Sequence, residues 1–166
     1  WTEVTGQANI ARPYAAMGMD LLDANGDEQF DIFVSNLWGA APQREVLHIN
    51  QGELEFEDEG RTRGAFALWN ASRGDWVERT VSWAAQAFDV DNDGDEDLYL
   101  AYGAFEPAAD YRFAPQAYPP MKPDQPNALL INEAGVFQVR EGSCAEDHGI
   151  SRGVAVGDLD RDGCLD

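Results

Sequence analysis

Short apolar runs alternate with acidic turns along this chain, and no run carries the three-and-four spacing of an amphipathic helix. The runs recur in a fixed order. A strand rich in small residues leads into an acidic loop at residues 14–22, 82–88 and 152–157. A second strand, rich in β-formers, leaves the loop at residues 31–36 and 97–102. A third follows at 45–50 and 127–132, then a turn containing Gly52 or Gly135, then a fourth at 54–58 and 136–140. The pattern predicts an all-β chain with four antiparallel strands in each copy.

The loops share one design. They read Asp23-Ala-Asn25-Gly-Asp27-Glu-Gln29-Phe-Asp31, Asp89-Val-Asp91-Asn-Asp93-Gly-Asp95-Glu-Asp97 and Asp158-Leu-Asp160-Arg-Asp162-Gly-Cys164-Leu-Asp166. Their starts lie 66 and then 69 residues apart, which marks the chain as a repeat. A unit of that size with four strands suits one blade of a β-propeller, so the fold class expected is about two complete blades plus parts of the flanking ones, a fragment of a larger propeller. On this division residues 1–13 end a preceding blade and its connection, 14–58 form the first blade and 59–81 an inter-blade loop. Residues 82–141 form the second blade, with a long insertion at 103–126 that holds six of the eight prolines, and 142–166 are a connection and the start of a third blade. In an up-and-down blade the acidic loops and Gly turns share one face; the long connections share the other.

With 44% hydrophobic residues the chain has enough apolar material for a packed core. Its formal charge of −20, from 31 acidic and 11 basic residues, argues against nucleic acid or an anionic membrane surface as partner. No stretch has the roughly 20 apolar residues of a membrane helix, so membrane insertion is not expected, and the first residues lack the pattern of a signal peptide. Crowding four Asp or Asn side chains at fixed positions into each short loop demands a neutralising partner. One divalent cation per loop, up to three, would bring the charge from −20 to −14.

The donor set points to calcium, which takes six to eight hard oxygens at flexible geometry. Alternating residues of a tight turn aim their side chains at one point. Positions one, three and five do so in each loop: Asp23, Asn25 and Asp27; Asp89, Asp91 and Asp93; Asp158, Asp160 and Asp162. Position seven, Gln29, Asp95 or Cys164, varies in chemistry and is read as a main-chain carbonyl donor. Position nine, Asp31, Asp97 or Asp166, closes the shell as the next strand begins. An EF-hand is excluded because position twelve, which must be a bidentate Glu, is Val34 or Leu100. Magnesium fits less well, since it keeps several waters.

On these residues the chain resembles the FG-GAP or VCBS repeat family, in particular proteins related to cartilage acidic protein with an ASPIC/UnbV region. The stretches 152–163 and 87–100 look like its strand, calcium loop and strand, and Pro126-Asn127-Ala-Leu-Leu-Ile-Asn132 looks like its third strand. The resemblance implies a calcium-bound propeller of the kind found in integrin α-subunit heads. The first loop departs from it, with Glu28 where Gly94 and Gly163 stand in the others. If that position needs a positive φ, Glu costs about 1 kcal/mol there.

Nothing assembles into a catalytic relay. His48 sits within a strand, and Cys144 and His148 lack a third orienting group, so the chain is not expected to be an enzyme. Cys144 and Cys164 have no zinc spacing; both a disulfide between them and two reduced thiols remain open. Weak calcium loops fill outside the cell, at about 10⁻⁴ to 10⁻³ M, which places the chain in an extracellular, cell-surface or periplasmic setting. Trp38, Trp69, Trp76, Tyr111, Phe113 and Tyr118 crowd the long connections and are the partner-binding candidates. The partners expected are a protein, in adhesion or scaffolding, or an extracellular glycan, together with the remainder of the propeller or other copies of the chain. A role as accessory domain of a larger extracellular enzyme is the further alternative.

Overall fold

A computed structural model describes residues 1–11, 15–37, 45–66, 69–70, 75–76, 81–103, 125–142 and 148–163. Among them there is no helix. Strands β1 (Ala16–Leu22), β2 (Asp31–Asn36), β3 (Val46–Asn50) and β4 (Phe56–Asp58) lie side by side in chain order, each antiparallel to the next. A ribbon of β5 (Trp69–Asn70) and β6 (Asp75–Trp76) occupies the connection that follows. The second sheet repeats the arrangement of the first. It is built from β7 (Ser82–Phe88) and β8 (Asp97–Tyr102), then, beyond the short β9 (Gln125–Pro126), β10 (Ala128–Glu133) and β11 (Val136–Val139). The last strand, β12 (His148–Gly149), pairs with β9.

The residue pattern explains the order of strands. Ile32-Phe33-Val34, Leu98-Tyr99-Leu100 and Ala128-Leu129-Leu130-Ile131 are apolar without alternation, and they form the middle strands, where both faces of the sheet are covered. The outer strand β1 mixes exposed and buried positions. The β1–β2 ladder carries an irregularity between Ala16 and Gly18, and the β7–β8 ladder carries one between Ser82 and Ala84, the same place in each sheet.

Several strands start or end one residue from the expected place, and two differ by more. β4 starts at Phe56 rather than at residue 54, because Glu53 and Leu54 have φ of 51° and 63° and belong to the turn. Residues 152–157 are not a strand. In both sheets the corresponding segment is held by the strand that leaves the acidic loop, and no such partner lies among the described residues. Residues 5–9 form a turn on the edge of the first sheet, where the Phe56 N–H donates to Ala8 O (3.2 Å).

The sheets pack face to face over a single core in which Leu22, Phe33, Leu47 and Ile49 meet Ala85, Leu98, Leu100 and Leu130. Contact is closest between β1 and β7. A Cβ on Gly18 would lie 3.0 Å from Trp83 O and 3.3 Å from Ala84 Cα, so only glycine fits without moving backbone. Two residues further along, Asp20 Oδ2 accepts from Gln86 Nε2 (2.8 Å) and from the Ala87 N–H (2.7 Å). Tyr102 Oη donates to Glu45 Oε1 (2.7 Å) at the other end of the interface. Arg63 clasps the connection after β4 to the second sheet. Its Nε pairs with Glu59 (2.7 Å), its Nη1 donates to Gly135 O (2.9 Å), and its carbonyl accepts from the Phe137 N–H (2.7 Å).

Candidate metal centre

Each acidic loop is wound by its own first residue. Asp23 Oδ1 accepts from the N–H groups of Gly26 (2.9 Å) and Asp27 (3.0 Å), and Asp23 Oδ2 accepts from Glu28 (2.8 Å). Asp89 takes the N–H groups of Asp93 (3.2 Å) and Gly94 (3.1 Å), and Asp158 those of Asp162 (3.1 Å) and Gly163 (3.0 Å). The tight winding puts positions four and six at positive φ in all three loops. Position four is Gly26, Asn92 and Arg161, at 75°, 61° and 65°; position six is Glu28, Gly94 and Gly163, at 65°, 98° and 93°. The expectation that position six is left-handed is met, and Glu28 carries the strain there that glycine avoids in the other two loops.

Position nine ties the loop to the sheet. Asp31 and Asp97 are fully buried at the start of β2 and β8. Asp31 accepts from the N–H of Ala24 (2.9 Å) in its loop and of Asn50 (2.8 Å) at the end of β3. Asp97 accepts from Val90 (2.8 Å) and from Asn132 (2.8 Å) at the corresponding places. Burial pushes both carboxyls above the ordinary carboxylate value, against the lowering effect of these bonds, and the neighbouring acids push the same way: Asp27 and Asp23 on one, Asp91 and Asp93 on the other.

The three loops differ inside. Carboxylate oxygens of Asp89, Asp91 and Asp97 lie within 4.8 Å of one another, as do those of Asp158, Asp160 and Asp162. In the first loop, position three is Asn25, whose Nδ2 donates to Asp27 Oδ2 (3.0 Å), and Gln29 Nε2 donates to the same oxygen (3.3 Å). Two amides thus occupy the carboxylate at position five. In the third loop the same position, Asp162, joins the cluster, whereas in the second Asp93 is not part of it and its Oδ1 accepts from the Asp95 N–H (2.9 Å). At position seven of the second loop, Asp95 Oδ2 is taken by the Ala134 N–H (2.8 Å).

Three contributors were not foreseen. Asn50 ends β3 and Asn132 is the last residue but one of β10, and each holds a Gly turn by accepting from Gly52 (2.9 Å) or Gly135 (2.8 Å). The recurrence of Ile-Asn at both places was the signal that pointed to them. Asn132 Nδ2 also bridges Ala24 O (3.2 Å) and Glu96 O (3.1 Å), and Glu96 Oε2 accepts from the Asp23 N–H (2.7 Å), so the second loop supports the first. Glu96 had no signal, since Phe30 stands at its place in the first loop.

Cys164 and Asp166 of the third loop lie outside the described residues, as do Cys144, Trp38, Tyr111, Phe113 and Tyr118. Trp69 and Trp76 are opposite one another in the β5–β6 ribbon. His48 is buried on β3, in register with Ile32 and Asp58.

No protein-family model matches this chain, and no curated protein is detectably similar to it.

Proposed function

We propose that the chain is a calcium-stabilised, propeller-type module of FG-GAP or VCBS character that acts in binding or scaffolding outside the cell. The observation that carries the reading is the second loop. Three carboxylates, one of them fully buried and pushed above its ordinary pKa, converge within 4.8 Å on the bend between β7 and β8. A hard divalent ion is the ligand that such a donor set suits. Asp89, Asp91, Asp93 and Asp97, with the carbonyl of Asp95, would hold it, and Asp158, Asp160 and Asp162 would begin a second site. Bound calcium would supply charge neutralisation at a bend that joins two strands, a structural rather than catalytic role.

The blade reading draws on the two sheets having one topology and touching through β1 and β7. Antiparallel order puts the acidic loops and Gly turns at one edge of the sheets and the β2–β3 and β8–β10 connections at the other, so the partner surface is assigned to the long connections, away from the metal. A protein partner is favoured over a glycan because the aromatics are spread over several connections. Thermal melts in calcium and in EDTA test the metal role. At a hundredfold excess over Kd, each filled site should add about 2.7 kcal/mol, and a melt that chelation leaves unchanged would overturn the reading.

A further inference from the structure

Peptide groups of the first acidic loop are held by side chains of the second sheet. Glu96 Oε2 accepts from the Asp23 N–H (2.7 Å), and Asn132 Nδ2 donates to the Ala24 carbonyl (3.2 Å). The Gly turn of the second sheet lies beside them, since a Cβ on Gly135 would be 3.5 Å from Ala24 O and 3.6 Å from Asn25 Cα. Positions one to three of the first loop therefore rest on the second sheet. Both side chains are also tied to the second loop. Glu96 is the residue between its positions seven and nine, Asp95 and Asp97. Asn132 is buried; its N–H donates to Asp97 Oδ1 (2.8 Å) and its Nδ2 also to Glu96 O (3.1 Å). On the far side, the Ala24 N–H donates to Asp31 Oδ2 (2.9 Å). Asp97, Asn132, Ala24 and Asp31 thus form one hydrogen-bonded chain from position nine of one loop to position nine of the other. The first sheet has half of this device: Asn50 Nδ2 donates to Phe30 O (3.2 Å), but Phe30, in the place of Glu96, has no side-chain acceptor.

We propose that Glu96 and Asn132 couple the two loops, so that a divalent cation held in the second makes the first bind its own more tightly. The proposal rests on the metal reading given above and adds to it a dependence of one site on the other. A cation in the second loop fixes the segment from Asp95 to Asp97 against the repulsion of its carboxylates, and with it the Glu96 side chain and the Asn132 amide. The first loop, with its peptide groups at Asp23 and Ala24 already held, has less left to order when its own cation arrives. By reciprocity, a cation in the first loop tightens the second by the same factor. Repulsion between the two cations opposes the effect, and salt screens it, so the coupling is read near physiological ionic strength, about 0.15 M.

The test is a calcium titration of the chain carrying isotope-labelled glycine, followed by NMR, in which Gly26 reports the first loop and Gly94 the second. Asp91→Ala takes one converging carboxylate from the second loop while Asp89 still accepts the Asp93 and Gly94 N–H groups. It should raise the calcium midpoint read at Gly26 about fivefold. Made in a Glu96→Ala background, the same substitution should move Gly26 by less than about twofold. In a Glu96→Gln background, where a side-chain carbonyl can still accept from the Asp23 N–H, the full shift should return. A Gly26 midpoint that Asp91→Ala leaves in place would overturn the proposal, as would equal shifts with Glu96 and with Ala there, or a Gln that behaves as Ala. Amide exchange in EDTA reads the contact without metal: Glu96→Ala should speed exchange at Asp23 about tenfold and leave Asp89 unchanged, and an unaltered Asp23 would count against the coupling. Calcium that moves neither Gly26 nor Gly94 overturns the metal reading and this proposal with it, whereas calcium that fills both loops independently overturns this proposal alone.

Discussion

The first and second acidic loops are wound by the same hydrogen bonds yet filled differently. In both, position one caps the turn and a buried position nine joins the loop to the third strand of the sheet. Inside the first, the amides of Asn25 and Gln29 quiet the Asp27 carboxylate; inside the second, carboxylates face one another. The backbone scaffold is therefore separable from the charge it encloses. The N–H donors that wind the loop recur in both, while the side chains they enclose differ.

The sharpest way to break this comparison is to remove position nine. Asp97→Ala takes the acceptor from the N–H groups of Val90 and Asn132, and Asp31→Ala from those of Ala24 and Asn50, so urea unfolding in EDTA should show each variant less stable by about 3 kcal/mol. A loss in one without a loss in the other would end the claim of a common scaffold. Calcium should then add nothing at the second loop of Asp97→Ala while still acting at the others.

Interior chemistry is tested by Asn25→Asp, which gives the first loop the carboxylate it lacks. Calorimetric titration should show calcium at that loop bound about tenfold more tightly, since ligand charge sets affinity in such turns. In EDTA the same variant should melt lower than the parent, because a like charge replaces an amide donor beside Asp27.

Position six offers a smaller, cleaner contrast. Glu28→Gly removes a left-handed glutamate at φ 65° and should stabilise the chain by about 1 kcal/mol, whereas Gly94→Glu should cost a similar amount. Urea midpoints in EDTA decide it, and a neutral Glu28→Gly would show that the loop relaxes around this residue.

The smallest effect expected is in pH. Asp31 and Asp97 have folded pKa values raised above the ordinary 3.8, chiefly by burial, so the folded chain holds these protons more tightly than the unfolded one. Their contribution to stability is complete below about 3.8 and is lost as pH rises through the raised values. In EDTA the urea midpoint should therefore rise on acidification from neutral pH into that window. In calcium it should fall, as protons compete with the metal for the carboxylates.

The strands and loops were legible because two signals agreed: apolar runs of strand length, and acidic turns at a constant interval. The fourth strand of the first sheet was read too long because Leu54 looks like a strand residue, while its positive φ comes from the hydrogen-bonded turn around Gly52. The residues at 152–157 were read as a strand from their likeness to the other copies, yet a strand exists only through its neighbour. The carboxylates that the structure brings together, Asp89, Asp91 and Asp97 in one loop and Asp158, Asp160 and Asp162 in another, could be read from spacing alone. The groups that hold the cradle in place, such as Asn132, Glu96 and Asp20, lie outside the loop or bond to the opposite sheet, and a linear pattern carries no record of contacts made across some 70 to 110 residues.

Gly18 has an effect beyond its own contact. With no side chain there, β1 and β7 approach backbone to backbone, while Phe33 and Ile49 of the first sheet and Leu100 and Leu130 of the second fill the core beside them. Widening that single gap would lift the shared core, from Leu22 to Leu130, off its seat.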